Sequence, residues 1–292
     1  MTRNHEGELF DMRNPFSAEA SRLRLLESGD VSPAKLCEQI LDGSYGKPFI
    51  LEDGRVRYLH LGIAHVQSIM RIDQPDALDL RYTQKMMGFL IFHPAPRRIT
   101  LIGLGGGSLA KYCYRHLPLA AIEVVEIDPH VIALRQHFMI PDDDHRFKVI
   151  CADGTRHLAA ARQAADVLLV DAFDDSGLAD GFGEFAFLDS VHDFLADDGV
   201  LVMNLAGERS RFQALVGHAR ARFGDRFRVV SVRGRGNFVL YAFKRPAFDP
   251  DWNQLRSQAR KLRQHYRLDF PKLVQKLEHV SRNGGVTREL LC

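Results

Sequence analysis

Cysteine and tryptophan are scarce in this chain, and it has no long apolar runs. It has four cysteines and one tryptophan in 292 residues. Cys37, Cys113, Cys151 and Cys292 are widely spaced and form no CxxC pair, so neither a zinc site nor a disulfide framework is indicated. Cys113 and Cys151 lie in apolar segments, where a thiol packs as a small hydrophobe. No stretch approaches the roughly 18 consecutive apolar residues of a membrane span. The polar start MTRNHEGELFDMRN carries no signal-peptide core, and a reducing cytoplasm is the expected setting. A net charge of +2 is too mild for the concentrated basic face of a nucleic-acid binder. The thirteen histidines show no metal-ligand spacing; His130, His137 and His145 stand seven and eight apart. Neither a metal, a nucleic acid nor a membrane is expected as a partner. Repeats and low-complexity tracts are missing too.

Hydrophobic residues at 46% and charged residues at 26% are ordinary for a globular protein, and 292 residues can bury a sizeable core. Residues 1–46 are polar and read as a helical, partly disordered segment. In it, Ser32-Pro33 before AKLCEQIL marks a short capped helix. Residues 47–80 read as a small antiparallel β unit. Here Asp53-Gly54 splits two apolar runs, a hairpin signal, and AHVQSIMRI supplies a third strand. LRYTQKMMGFLIF then has helical spacing and stops at His93, Pro94 and Pro96.

From Ile99 onward, apolar strands alternate with helices. The runs ITLIGL, AIEVVEID, FKVICAD, DVLLVDAF and GVLVMNLA are continuous rather than alternating. Such runs mark strands buried on both faces, as in a parallel sheet between helix layers. SLAKYCYRHL, PHVIALRQHF, TRHLAAARQ, FAFLDSVHDFL and RSRFQALVGHARARFG read as the intervening helices. RFRVVSVR and NFVLYAFKR follow each other without a helix and predict an antiparallel edge. Residues 81–246 therefore form an α/β, Rossmann-like domain, and residues 247–292 a basic helical extension.

Four motifs fall at the carboxyl ends of these strands. Gly103-Leu104-Gly105-Gly106-Gly107-Ser108 joins the first strand to a helix, and such a turn lets backbone approach a ligand closely. A tight turn with no ligand has the same pattern, and Ser108 departs from a dinucleotide fingerprint. Nineteen residues after Gly107 the next strand ends in Glu126-Ile127-Asp128, with a carboxylate placed to take both ribose hydroxyls. Asp153-Gly154 ends the third strand, where an acid can accept from an adenine amino group and where a plain Asp-Gly turn is also common. Asp171, with Asp174 three residues on, ends the fourth strand, and two acids there suit a cationic or amine substrate. Asp174 or Asp175 also suits a helix cap.

In this order the four motifs resemble those of the spermidine synthase (polyamine aminopropyltransferase) family, over roughly residues 47–245. GGGDG of the family resembles residues 103–107, VEID matches Glu126 and Asp128, GDG resembles residues 152–154, and DSSDP resembles residues 171–175. A DGxxQ stretch and a helix start with tyrosine resemble the regions of Gln67 and Tyr82. The resemblance implies an S-adenosylmethionine methyltransferase-like fold. It further implies aminopropyl transfer from decarboxylated S-adenosylmethionine to a polyamine, and a homodimer. Gln67, Gly103, Gly105, Gly107, Glu126, Asp153 and Gly154 would hold the nucleotide, with Glu126 on the ribose and Asp153 on the adenine. Asp171 would take the proton of the attacking amine, and Asp174 and Tyr82 would bind that amine.

The chain also departs from the family pattern. Gly106 stands where the family has a loop acid, the tail after Asp175 reads SGLAD, and Arg233 and Arg235 occupy the late substrate stretch. The nucleotide half matches more fully than the amine half. Two alternatives stay open on the same residues: a small-molecule methyltransferase using S-adenosylmethionine, and a non-catalytic nucleotide sensor. A nicotinamide dehydrogenase is disfavoured by Ser108 and Asp153-Gly154.

Overall fold

The apolar runs from residue 98 onward become the strands of one sheet, and the order in which they line up creates the cleft. The computed structural model describes residues 10–14, 21–27, 32–63, 65–160, 164–174, 177–179, 181–207, 209–234, 236–245 and 248–291.

The chain opens with β1 (Phe10–Arg13), β2 (Arg22–Leu25), α1 (Pro33–Asp42), β3 (Phe49–Glu52), β4 (Val56–Gly62) and β5 (His65–Arg71). The five strands form one antiparallel meander in sequence order. The hairpin at Asp53-Gly54 and the third strand are as read. Asp53 Oδ1 accepts from the N–H groups of Arg55 and Val56, and Gly54 takes φ +84°, which a β-carbon would strain. The segment before Ser32 differs from its reading as helical and partly disordered. Where described, it pairs as β1 and β2; residues 1–9, 15–20 and 28–31 lie outside the described residues. Strand pairing at residues 22–25, where Arg and Leu alternate, places Leu23 and Leu25 on one buried face with Leu36, Ile40, Tyr45 and Phe49.

After α2 (Arg81–Met86) and a 3-10 stretch (Met87–Ile91) come β6 (Arg98–Ile102), α3 (Ser108–His116), β7 (Ala121–Glu126), α4 (Pro129–Ala133), β8 (Phe147–Cys151), α5 (Gly154–Ala160) and β9 (Ala165–Val170). A two-residue hairpin follows, β10 (Phe173–Asp174) with β11 (Gly177–Leu178). Then come α6 (Phe185–Phe194), β12 (Leu195–Leu205), α7 (Arg209–Phe223), β13 (Phe227–Ser231) and β14 (Phe238–Phe243). The chain ends in α8 (Trp252–Tyr266), α9 (Phe270–Ser281) and α10 (Arg288–Leu291). The large sheet has the order β13-β14-β12-β9-β6-β7-β8. Its pairs from β12 to β8 are parallel; β14 runs antiparallel to β12, and β13 to β14. This is the mostly parallel α/β sheet with an antiparallel edge that the continuous apolar runs predict.

Both faces of this sheet are covered. In β9, Val167 and Leu169 join one buried cluster while Leu168 and Val170 join the other, so a run with no polar residue still obeys the period of two. The first cluster lies under α2, α3, α8 and α9, the second under α5, α6 and α7. The chain lays down β6, β7 and β8 outward, then returns to place β9 on the other side of β6. The loops after β6 and β9 therefore diverge, and a crevice opens between them at the carboxyl ends of the strands.

One helix is shorter than its pattern. PHVIALRQHF predicts ten helical residues, but α4 ends at Ala133 and the chain continues in turns, with Met139 at φ +53°. Tertiary contacts account for the difference. The Lys111 ammonium, on a side chain with 1% exposure, donates to the Phe138 carbonyl at 2.7 Å, and Arg57 of β4 donates to the His137 carbonyl. Those two cations hold a turn that seats Phe138 and Ile140 beneath the glycine loop.

Candidate active site

A cleft of about 450 Å³ opens at the switch point between β6 and β9. It is lined by Gln67, Tyr82, Gly103, Gly105, Glu126, Asp153, Gly154 and Asp171 of the sequence-predicted residues. Residues from six separate stretches of the chain are thus gathered in one place. Gly107 sits behind the loop instead. It caps α3 at φ +68°, and a β-carbon there would lie 2.5 Å from Ile140. The Asp174 side chain lies outside the described residues, as do Asp175 and Arg235.

The glycines of the loop are needed for different reasons. A β-carbon on Gly103, at φ +93°, would lie 2.2 Å from the Asp171 carbonyl oxygen, so this glycine lets the loop cross the tip of β9. One on Gly106 would meet Ser68 Oγ at 2.6 Å and Phe138 at 3.0 Å. Gly105, at φ +49°, has only Ser68 nearby, at 3.9 Å. Gly105 is therefore the loop glycine whose missing side chain leaves open space in the cleft.

Glu126 ends β7 and is 9% exposed. Its Oε2 accepts from the Leu104 N–H at 2.8 Å and its Oε1 from the Asp128 N–H at 2.9 Å. The carboxylate thereby ties the glycine loop to the start of α4, and each oxygen keeps a second lone pair for a ligand. Asp153 caps α5: its Oδ1 accepts from the Thr155 hydroxyl at 2.6 Å and N–H at 2.8 Å. Those bonds, the Thr155 hydroxyl foremost, hold its carboxyl below the usual carboxylate range. Oδ2 faces the exposed Arg156 at 3.9 Å.

Asp171 follows β9. Its N–H donates to the Ile102 carbonyl at 2.9 Å, which extends the parallel ladder past the last strand residue. Oδ2 accepts from the Tyr82 hydroxyl at 3.1 Å, and Oδ1 accepts from Asn204 Nδ2 at 2.9 Å. Burial pushes the Asp171 carboxyl up to about 6, against the pull of the Asn204 and Tyr82 hydrogen bonds. A carboxylate poised there can take a proton near neutral pH.

Sequence reasoning missed several parts of this site. Leu59 and Leu61 of β4 and Phe182 supply apolar walls. They come from the N-terminal sheet and from the segment before α6, and nothing in their local sequence points to the cleft. Asn204 had a signal, since it is the polar residue inside VLVMNLA, a strand otherwise apolar. Asn237, which donates to Asn204 Oδ1 at 3.1 Å, had none. At the opposite end of β9, His93, Asp166 and Asp198 bring ligand atoms within 4.8 Å of one another, but an Asp166 oxygen already accepts from the N–H groups of Arg97 and Arg98.

The fold is shared with known proteins. A spermidine synthase solved with the transition-state analogue AdoDATO superposes with a TM-score of 0.63 over 82% of this chain and 85% of that one, at 17% identity. Human methyltransferase-like protein 13, solved with SAH, gives 0.59 over 64% of this chain and 93% of that one, at 25% identity. In sequence, residues 80–215 match the spermine/spermidine synthase domain. A polyamine aminopropyltransferase of Neisseria meningitidis serogroup A is 36% identical over 238 residues, 81% of this chain and 90% of its own length. With that extent of likeness along the chain, and the four strand-end motifs gathered in one cleft, the protein belongs to the spermine/spermidine synthase family.

Proposed function

We propose that this protein is an aminopropyltransferase that moves the aminopropyl group of decarboxylated S-adenosylmethionine to the amine of a polyamine. The observation that carries this reading is Asp171: a buried-side carboxylate at the tip of β9, raised to about 6, facing the cleft beside the glycine loop. The nucleoside lies along the loop, with Glu126 accepting from the ribose hydroxyls and Asp153 Oδ2 from the adenine amino group. Gly103, Gly105 and Gly154 allow close backbone approach, Gly107 starts α3 behind them, and Gln67 borders the donor's tail. Tyr82 and Asp174 bind the acceptor amine.

The chemistry is a displacement. An alkylamine is mostly ammonium at neutral pH, since its pKa is near the roughly 10.4 of a lysine. Asp171 attracts the ammonium and takes one proton from its nitrogen onto the carboxylate. The amine nitrogen then bonds to the carbon next to sulfur, the carbon–sulfur bond breaks, and its electron pair neutralises the sulfonium to a thioether. Alignment of nitrogen, carbon and sulfur in the cleft supplies much of the acceleration. No metal takes part in these steps.

We further propose the division into residues 1–46, 47–80, 81–246 and 247–292, a homodimer, and a cytoplasmic setting with neither membrane nor nucleic acid as partner. No helix among the described residues is long and apolar enough to cross a membrane.

One observation favours a second reading. The position of Gly106 is closed by Ser68 and Phe138, so the glycine loop carries no acid to grip an aminopropyl ammonium. A methyltransferase using intact S-adenosylmethionine needs none. Product analysis with each donor against a panel of di- and polyamines decides between the two. Aminopropylated product from the decarboxylated donor supports the first reading, and methylated product from the intact donor replaces it.

A further inference from the structure

Behind Asp171, on the side away from the cleft, runs a short chain of amides. Asn204 in β12 is 1% exposed, and Asn237, just before β14, is 9% exposed. Neither lines the cleft. The antiparallel pairing of β12 with β14 sets Asn204 opposite Val239, two residues past Asn237, and so brings the two amides together. Asn237 Nδ2 donates to Asn204 Oδ1 at 3.1 Å, and Asn204 Nδ2 donates to Asp171 Oδ1 at 2.9 Å.

The direction of this chain is forced by its chemistry. An ionised carboxylate only accepts, so Asn204 must turn its NH2 toward Asp171. Its carbonyl then faces Asn237, which must answer with its own NH2. The two oxygens of Asp171 are consequently unequal. Oδ1 meets an amide nitrogen, which cannot accept a hydrogen bond from a protonated carboxyl. Oδ2 meets the Tyr82 hydroxyl at 3.1 Å, which can turn from donating to accepting.

We propose that Asn237 is a positioning residue that, through Asn204, directs the proton of the attacking amine to Oδ2 of Asp171, on the side of Tyr82. The inference rests on the reading of Asp171 as the proton acceptor. In the step, an N–H bond of the ammonium breaks and its proton bonds to Oδ2. The electron pair left on nitrogen forms the new carbon–nitrogen bond as the carbon–sulfur bond breaks and its pair passes to sulfur, leaving a thioether. Tyr82 then accepts from the new O–H. Without the Asn237 amide, the Asn204 carbonyl is left unanswered in a buried place, and the Asn204 NH2 is held less firmly against Asp171. The ionised carboxylate is then stabilised less and keeps its proton to higher pH. The groups facing Asp171 are Asn204 from β12 and, titratable, Tyr82 from the first residues of α2.

The test is the pH dependence of kcat/KM for the amine acceptor, measured on the whole protein with decarboxylated S-adenosylmethionine. Asn237→Leu removes the amide, and Asn237→Ser keeps a donor. The acid limb of Asn237→Leu is expected about one pH unit above the parent's, the shift that corresponds to one hydrogen bond to a charged group. Its plateau rate should stay within about threefold and its donor affinity should be unchanged, because the transition-state contacts on the cleft side remain. Asn237→Ser should return the limb toward the parent's. A limb that does not move overturns the inference, as does a uniform loss at every pH, which marks a structural role alone. If Asn237→Leu does not fold, Asn237→Ala carries the same comparison. Asp171→Asn in parallel separates the two levels. An inactive Asp171→Asn with an unmoved Asn237 limb sinks only the role of Asn237, and an active Asp171→Asn sinks the reading of Asp171 with it.

Discussion

Asp171 and Tyr82 stand 89 residues apart in the chain and share a hydrogen bond in the cleft. In the proposed reaction this carboxylate is the proton acceptor. Asp171→Asn keeps the size and removes both charge and basicity, so turnover is expected to fall about 10²–10⁴-fold, the usual contribution of a general base. Nucleotide affinity, measured by calorimetry on the same preparation, should change far less, because the proposal gives that contact to Glu126 and Asp153. A collapse of both together would make Asp171 a binding or structural residue. The raised carboxyl pKa also sets a pH dependence. Above about 6 the group is ionised and competent; below it kcat/KM should drop about tenfold per pH unit. The same shift has a consequence for stability. The folded state holds this proton more tightly than the unfolded chain, so ionising Asp171 costs stability. That cost is absent below the ordinary carboxylate value of 3.8, grows as pH rises, and is complete above about 6. Asp171→Asn should therefore raise Tm at pH 8 and change it little at pH 4. Equal effects in the two melts would place the cost elsewhere than the charge.

At the scale of the element, the glycine loop and the end of β7 act as one unit, because Glu126 accepts from the Leu104 N–H. Glu126→Ala is expected to weaken nucleotide binding by about 1.5–3 kcal/mol, one to two decades, for a lost pair of charge-assisted hydrogen bonds. Calorimetry checks this, and unchanged affinity in a folded protein would remove Glu126 from the site. Within the loop, Gly105 and Gly106 should respond for different reasons. Gly105→Val fills the open side, so binding should be abolished, while folding loses roughly 1–2 kcal/mol for a side chain in the left-handed region. Gly106→Ala meets Ser68 and Phe138, and overpacking of this kind costs about 1–3 kcal/mol of stability. Ser68→Gly should restore part of the Tm lost in Gly106→Ala, since it removes the atoms at 2.6 and 3.0 Å. Additive Tm changes in the double variant would show that Ser68 is not the obstacle. The sequence assigns Gly103, Gly105 and Gly107 alike to the nucleotide and sets Gly106 apart only as the place of a missing acid. Only the neighbours β5, β9 and the turn at Phe138 assign a separate reason to each.

At the scale of the whole molecule, the N-terminal sheet carries walls of the cleft, Leu59 and Leu61, and through Arg57 it holds the turn beneath the glycine loop. That sheet has five strands and packs its own buried cluster of Leu23, Leu25, Leu36, Ile40, Tyr45 and Phe49. The family resemblance implies a homodimer, so light scattering at micromolar concentration should give the mass of a dimer; a monomer mass would remove that expectation. The sequence by itself determined the large sheet. Strands buried on both faces must be apolar throughout, and runs such as DVLLV and GVLVM can serve in few other places. It also determined the strand-end motifs at Glu126, Asp153 and Asp171, because the residue types and their spacing follow the chain locally. Tertiary structure alone decided the pairing of β1 and β2, the early end of α4, and the amides behind Asp171. Each depends on partners distant in sequence: Leu23 needs Leu36 and Phe49, Phe138 needs Lys111 and the loop above it, and Asn237 needs a strand 33 residues earlier to present Asn204. Local propensity sees only neighbours in the chain, so a polar residue such as Asn204 in an apolar strand, or the alternation at residues 22–25, can mark a buried contact without naming the partner across the sheet.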